Sequence, residues 1–574
     1  MKRLLRKMFT SLIEGFAMWR TSSGHAELIA KLRIRMVFSG VCGTIAFSCI
    51  SYRLVDVMIV SRYGAHERVD HYIEHVERKA DIVDRSGELL ATSIATASCY
   101  VNPSVIIDDD EMVAKLSKIS GMPSAEKLRQ KVSDKNKHFV WLARHVPPQI
   151  QEQVMDLGIP GIHFQKDYKR IYIHNNLFSH VIGCSDVDGI GVCGLEKNFS
   201  RELATSDNLN KCLVTTLDIR LQAIVHEELS DAVNKFKAAG GNAMLMSNTG
   251  EILAMVSLPD FDPNNLGACS SVDMFNRNTL GVFEPGSVMK IINVAIALDS
   301  GAATLCSVFD ATEPLKIGRF SVTDFRGKKR PLTLAEAFVF SSNIAAAKIE
   351  QRFGVTVQKA YMKRLGLLDK VELEIPEIGS PIAPRMWNES TAMTMSYGYG
   401  LAITPLMLIT AVTSILNDGI RIAPTLVYGR RKSSTGGERI ISSETSRDVR
   451  DLMRLTICHG TGRKAAVDGV EIIGKTGTAY QAQGSGYGAE RNRKRITTFV
   501  GGFPKDVPQV ILIISLDNPK ATEETYGFAT AGHNVAPTAK NIFKRIVPLL
   551  YSGDYNEPDD SNLKSLKYVK LQTR

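Results

Sequence analysis

Between Arg35 and Arg53 the chain runs for seventeen residues, Met36 to Tyr52, without a charge. Built as a helix, this run reaches about 26 Å, the short end of what crosses a bilayer. A second uncharged stretch, Ser390 to Asn417, is longer, but Gly398, Gly400 and Pro405 break it and many of its residues are polar. It reads as the interior of a globular domain. From Tyr63 to Leu203, β-like runs such as Leu89 to Ile94, after the turn signal Ser86-Gly87, alternate with charged helical pieces such as Met112 to Lys118. No tight cluster of reactive side chains falls there, which predicts a pedestal or interaction module.

The polar stretch Thr205 to Lys211 marks a boundary before Val214 to Leu217 and a helical run from Asp218. Asn242 to Ser247 and Glu251 to Ser257 are β-like and joined by Asn248-Thr249-Gly250, a hairpin signal. Three more strands come some two hundred residues later, Val470 to Ala479, Ile496 to Phe503 and Gln509 to Leu516, followed by a helix, Ala536 to Leu550. That order predicts an α+β domain whose sheet is assembled from both ends of the segment around a helical insertion. The expected organisation is a basic tail (1–35), a span (36–52), a pedestal (63–210), a catalytic domain (214–551) and a polar C-terminal tail (552–574).

Charge changes the picture at one end only. The chain of 574 residues carries a formal +10, and eight basic residues against two acidic ones lie in residues 1–35. Placed before an apolar run, this excess predicts an uncleaved signal anchor with a cytoplasmic N-terminus and everything after Arg53 outside. The rival readings are a core helix or a cleaved signal peptide, but no small-x-small site follows directly. The remaining charge does not ask for nucleic acid. Seven of the nine cysteines lie outside the apolar run without C-x-x-C spacing, so no metal is predicted. Cys184 and Cys193 could pair in an oxidising compartment or remain small buried hydrophobes; both readings stand.

The chemistry concentrates in three motifs. Ser287-Val288-Met289-Lys290 opens a helix apolar nearly all round, from Val288 to Leu298. Lys290, at i+3, shares a face with Ser287, and burial of its amine lowers its pKa so that it can take the serine proton. The S-x-x-K pattern alone is weak, since Ser124 to Lys127 and Ser561 to Lys564 repeat it in polar surroundings. Ser341-Ser342-Asn343 leads into a second buried-looking helix and supplies a relay hydroxyl and an amide. Lys475-Thr476-Gly477-Thr478 follows a β run, where its lysine and hydroxyls can face a substrate carboxylate and Gly477 permits close backbone approach. A stray S-x-N, Ser206 to Asn208, precedes the nucleophile in a polar linker.

This ordered set resembles the signature of penicillin-binding proteins and class A β-lactamases. Glu284-Pro285-Gly286-Ser287, Asp262-Pro263-Asn264, His459-Gly460-Thr461-Gly462 and Gly474 to Ala479 resemble the transpeptidase domain of class B penicillin-binding proteins. Val83 to Ala91, Gly194-Leu195-Glu196 and Thr216-Leu217-Asp218 are similar to that class's pedestal. Ser396 to Gly400 with Thr404-Pro405 resembles the cell-division members. Two positions depart from the pattern: Phe325-Arg326, where relatives often carry a histidine after the aspartate, and Met407, where they usually have glutamine.

The resemblance implies an α+β penicillin-binding fold: an antiparallel sheet with helices on both faces and a helical insertion, after an N-terminal transmembrane helix and an elongated, dimerisation-like pedestal. It implies a peptidoglycan D,D-transpeptidase that cross-links stem peptides at the septum through a serine acyl-enzyme and is inhibited by β-lactams. Ser287 would be the nucleophile, Lys290 the base and Ser341 the relay. Asn343 would hold the donor amide, and Lys475, Thr476, Gly477 and Thr478 would form the carboxylate site. No cofactor is implied. The implied partners are the membrane, a separate glycan polymerase and other division proteins, with the catalytic domain in the periplasm of an inner-membrane, single-pass protein. The rivals are a hydrolase that passes the same ester to water and a non-enzymatic β-lactam sensor or division scaffold. No acidic residue between the second and third motifs stands in the E-x-x-L-N context of a deacylating glutamate.

Overall fold

Helix α1 (His25–Val55) contains Arg33–Leu54, 22 residues of mean hydropathy 1.5, long and apolar enough to cross a membrane. It extends beyond the uncharged run on both sides because arginine is a good helix former and does not stop a helix. The structure is a computed structural model, and the residues described are 25–55, 78–205, 211–317, 320–429, 437–481 and 494–551. Residues 1–24 of the basic tail, most of the 205–211 boundary with its stray S-x-N, and the tail 552–574 with its S-x-x-K lie outside them. The chain divides into Met1–Val76 and Glu77–Arg574.

In the second unit the first sheet is organised by β2 (Leu89–Val101), which pairs antiparallel with β1 (Asp81–Val83), β3 (Val140–Val146) and β4 (Ile162–Tyr172). The apolar pattern predicts only the first half of β2. Its second half contains Ser98, a buried polar residue whose hydroxyl bonds Asp167 and accepts from Arg144 Nε at 3.0 Å, so hydrophobicity lapses where burial does not. The helix expected from Met112 spans Asp109–Leu116, started by the Asp108 carboxylate accepting from Glu111 N at 3.0 Å. Two short strands, β5 (Cys184–Ser185) and β6 (Gly191–Cys193), pair antiparallel. Just beyond them Glu196, wholly buried, accepts from Arg170 Nε at 2.6 Å and from Lys79 Nζ at 2.8 Å. Burial alone pushes its carboxyl up, but the two cations hold it below the usual range.

The same sheet continues into the next domain. β7 (Cys212–Val214) runs parallel to β1, Thr215 N donates to Val83 O at 2.9 Å, and Arg85 N donates to Leu217 O at 2.9 Å. Buried Asp84 accepts from Ser86 N, Glu88 N and, across the seam, Ile219 N at 3.2 Å. Asn264 accepts from Tyr172 N and donates to Tyr172 O, docking another part of the pedestal.

The central sheet is antiparallel throughout, in the order β14 (Ile473–Tyr480), β15 (Arg495–Phe503), β16 (Val510–Asp517), β8 (Gly240–Ser247), β9 (Ile252–Leu258). Side chains alternate between faces. Leu245, Leu512 and Ile514 pack with α2 (Ile219–Lys235) and the last helix, whereas Met244, Met246, Ile511 and Ile513 pack with the inserted helices. Each such side chain, fully buried, contributes about 1.5–3 kcal/mol. The insertion holds α3 (Lys290–Asp299), α4 (Leu334–Val339), α5 (Asn343–Arg364), α6 (Pro405–Leu416) and α7 (Ser443–His459). It also carries the short antiparallel pairs β10 (Val308–Asp310) with β13 (Pro331–Thr333), and β11 (Leu315–Ile317) with β12 (Phe320–Val322). Every residue of α6 is buried, so the second half of the second uncharged run is core. The last helix is α8 (Val535–Tyr551). The expected strand from Val470 begins at Ile473, because Val470 N donates to Val467 O in a turn and pairing with β15 starts only after it.

Candidate active site

Ser287 does not sit in α3. It lies in the 3₁₀ turn Gly286–Met289 that leads directly into it. In a 3₁₀ turn residues i and i+3 eclipse, which aims the Lys290 amine at the serine: Nζ lies 3.1 Å from Ser287 Oγ. Ser287 is half-buried while Lys290 is 1% exposed, so the hydroxyl is reachable and the amine is not. The turn is braced from outside, Gly286 N donating to Gly398 O at 3.0 Å and Gly400 N to Glu284 Oε1 at 2.6 Å. Gly398 and Gly400 therefore buttress the turn.

The second motif closes over the same amine. Lys290 Nζ donates to Ser341 O and to Asn343 Oδ1, both at 2.7 Å, and lies 3.2 Å from Ser341 Oγ. Ser341 has φ 61°, a left-handed conformation that costs a non-glycine residue about 1–3 kcal/mol and persists only where neighbours enforce it. Ser341 N donates to Phe338 O at 3.1 Å and Ser342 N to Ala337 O at 2.9 Å, and Asp324 anchors the residues that follow. Its carboxylate accepts from Ser342 Oγ at 2.6 Å, Asn343 N at 2.5 Å and Ile344 N at 3.1 Å, at the start of α5, where a negative charge is favoured.

Lys475 enters from β14. Its Nζ is 3.0 Å from Ser341 Oγ and 5.7 Å from the centre of the Phe338 ring, and the residue is fully buried. Sequence reasoning expects it to face a carboxylate groove; in the structure its amine lies beside the Ser341 hydroxyl. Thr476 Oγ1 pairs with Thr461 Oγ1 at 2.6 Å, and Thr478 Oγ1 accepts from Ala531 N at 3.1 Å. Gly477 admits no side chain, since a Cβ there would lie 2.8 Å from Pro285 O and from Val288 Cγ2. Asn343, expected to hold a substrate amide, is engaged at both ends, with Oδ1 on Lys290 and Nδ2 donating to Thr323 O at 3.1 Å.

Two amines thus flank one hydroxyl in a buried site. Burial, the Lys475 charge and, in the opposite sense, Asp324 act on Lys290, and the net effect holds it well below the ordinary lysine range. Burial pushes Lys475 down to about 7. A neutral Lys290 amine has two N–H groups and one lone pair. The N–H groups are met by Ser341 O and Asn343 Oδ1, which leaves the lone pair for the Ser287 O–H.

The model of the penicillin binding protein transpeptidase domain matches residues 240–544, and that of the penicillin-binding protein dimerisation domain matches residues 76–228. The chain belongs to the penicillin-binding protein transpeptidase family. It is 33% identical over 499 residues to the probable peptidoglycan D,D-transpeptidase FtsI of Caulobacter vibrioides, covering 83% of this chain and 82% of the relative. It is 31% identical to the probable peptidoglycan D,D-transpeptidase PenA of Neisseria gonorrhoeae (87% and 90% covered) and 30% identical to FtsI of Escherichia coli K12 (83% and 85%). Among solved structures, penicillin binding protein 3 of Mycobacterium tuberculosis, complexed with aztreonam, shares the fold with TM-score 0.64 at 24% identity, covering 83% of this chain and 96% of that one. The chain is a class B penicillin-binding protein and a serine-type peptidoglycan D,D-transpeptidase, with one N-terminal apolar helix consistent with a single membrane pass.

Sequence reasoning gives no site role to Asp324, Phe338 or Thr461, although Thr461 lies in the His459–Gly462 motif and Asp324 is the aspartate that precedes Phe325. At the two departures, Arg326 stacks its guanidinium 4.6 Å from the centre of the Phe528 ring, and Met407 is packed inside α6, where an apolar side chain is at home.

Proposed function

We propose that this transpeptidase works through an ester on Ser287, at the outer face of the cytoplasmic membrane, in septal wall synthesis. The observation that carries the chemistry is the chain of contacts from Ser287 Oγ to Lys290 Nζ, Ser341 Oγ and Lys475 Nζ, each step between 3.0 and 3.2 Å. Neutral Lys290 takes the proton as Ser287 Oγ attacks the D-Ala-D-Ala carbonyl of a stem peptide. Ser341 Oγ, between the two amines, passes a proton to the departing D-Ala amine. Lys475 keeps the field at Ser341 positive, and Thr476 and Thr478 bind the terminal carboxylate after exchanging their present partners. Asn343 releases its bonds to hold the donor amide. The backbone N–H groups of Ser287 and Thr478 stabilise the oxyanion. The acyl group then passes to an amine of a neighbouring strand. The basic excess before the apolar run supports the exterior placement, and the resemblance of residues 396–400 and Thr404-Pro405 to the cell-division members supports the septal role, with a separate glycan polymerase and other division proteins as the partners that resemblance implies.

The hydrolase reading is disfavoured by Glu350, the acidic residue nearest the second motif on α5. It lies seven residues past Asn343, roughly 10 Å along the helix axis, and is fully buried, away from a water at the Ser287 ester. A benzylpenicillin adduct should therefore reach one per chain by intact mass spectrometry, map to Ser287 and survive many minutes after free drug is removed. Loss within seconds with turnover of the drug would replace the transferase by a β-lactamase.

A further inference from the structure

Cys184 and Cys193 play no part in this chemistry, yet the fold sets them face to face. They are directly opposed across the β5–β6 pair, with Sγ atoms 3.3 Å apart. Opposed residues in antiparallel strands have Cα atoms about 4.5–5.5 Å apart, within the roughly 4.4–6.8 Å that a disulfide spans. The facing thiols are thus placed within reach of a disulfide. The surroundings hold the pair in register. A Cβ at Gly194 would lie 2.6 Å from Gly183 N, so the two segments touch backbone to backbone and cannot slide. Ser185 Oγ donates to buried Glu196 at 3.1 Å, and Gly194 N donates to Glu377 Oε2, in the catalytic domain, at 3.1 Å.

We propose that Cys184 and Cys193 form an intrachain disulfide, a staple on the pedestal segment that meets both the buried Glu196 and the catalytic domain. The proposal rests on the exterior placement given above, because the cytoplasm keeps thiols reduced. The oxidant is a disulfide-bearing thiol oxidant of that compartment. Cys193 is the more exposed thiol, and its hydrogen bond with Cys184 lowers its pKa. It loses its proton, and the thiolate attacks one sulfur of the oxidant to give a mixed disulfide and a thiol. Cys184, deprotonated in turn, attacks the Cys193 sulfur. The new S–S bond forms, the mixed one breaks, and two electrons and two protons have passed to the oxidant, which leaves as a dithiol.

Residues 171–197 form one tryptic peptide containing these two cysteines and no others. The full chain is expressed in spheroplasts, treated with a membrane-impermeant maleimide, denatured with a second, permeant maleimide of different mass, then reduced, alkylated with iodoacetamide and digested. Exposed Cys306 reports the side of the membrane. The expected result is Cys306 carrying the impermeant label and peptide 171–197 carrying no maleimide and two iodoacetamide groups. The thermal midpoint should also fall on reduction, and the fall should vanish in the Cys184→Ala/Cys193→Ala variant. Labelled Cys306 together with two maleimides on the peptide would overturn the disulfide and leave the topology intact. A bond from either cysteine to Cys269, read as one maleimide and one iodoacetamide group on the peptide with iodoacetamide on Cys269, would overturn it as well. Cys306 shielded until the membrane is opened would overturn the exterior placement, and the disulfide with it.

Discussion

Asp324→Asn separates the position of Ser341 from its proposed relay chemistry. The carboxylate receives three hydrogen bonds at the start of α5, and its removal leaves Ser287, Lys290, Ser341 and Lys475 untouched in sequence. An asparagine can still accept from the two backbone N–H groups through one oxygen. It loses the second acceptor, used by Ser342 Oγ, and the negative charge. A hydrogen bond to a charged group contributes about 1.5–3 kcal/mol, and the charge at a helix N-terminus roughly 0.3–1. Part of this is retained by the amide, so about 2 kcal/mol of the force that keeps Ser341 at its left-handed φ disappears. If that is lost from the acylation transition state, the rate falls by about 30-fold. The assay is the second-order rate of labelling by a fluorescent penicillin, followed from acid to alkaline pH on protein checked for an unchanged fold by circular dichroism. The charge adds a sign. Asp324 favours the protonated form of Lys290, so its loss lowers that pKa further and the acid limb of the rate profile should move to lower pH even as the plateau drops. An unchanged plateau would refute the positioning role, and an acid limb moving upward would refute the electrostatics.

Lys290→Ala should abolish penicillin labelling about as fully as Ser287→Ala with the fold retained, and Lys290→Arg should fail too because guanidinium stays protonated; labelling by either variant at neutral pH would give the base role to another group. In the unaltered protein, labelling should be sustained at neutral pH and decline as acid protonates Lys290, whose pKa lies well below the ordinary lysine range; a rate that climbs only above the ordinary lysine pKa would contradict a buried neutral amine. Arg170→Ala leaves Glu196 buried with one cation in place of two, which should cost about 3–5 kcal/mol and lower the thermal midpoint; no change in the midpoint would mean that Glu196 is not held as a charged group. A reporter active only outside the cytoplasm, fused after Tyr63, should be active, and inactivity would reverse the orientation.

The features legible in the sequence were those encoded locally. Lys290 follows Ser287 by three residues, and buried helices follow both serines, so spacing alone brought the nucleophile and its amine together. The β8–β9 hairpin and the helices from Asp218 and near Ala536 were legible because their apolar periodicity matches the faces they bury. What escaped was contributed from a distance or hidden by polar burial. Asp324 meets residues 342–344 only because β12 and α4 fold the chain back. Lys475 points at Ser341 because antiparallel pairing turns it inward, and no motif states that direction. The second half of β2 was missed because Ser98 and Asp167 satisfy each other in the interior, a pairing that looks like surface until both strands are present. The 3₁₀ turn at Ser287 escaped as well, because apolar periodicity does not register a tightened first turn.

The seam between β1 and β7 has a mechanical consequence. Inter-domain joints within one chain ordinarily leave relative motion as the default, but here the connecting segment is itself a rung of the pedestal's sheet, running parallel to its neighbour. Tension drawn along such strands loads their hydrogen bonds in shear, all rungs at once, whereas a hinge would let them peel one by one. A pull on the pedestal near Asp81 is therefore delivered with little slack to Asp218 and to the helix that underlies the central sheet.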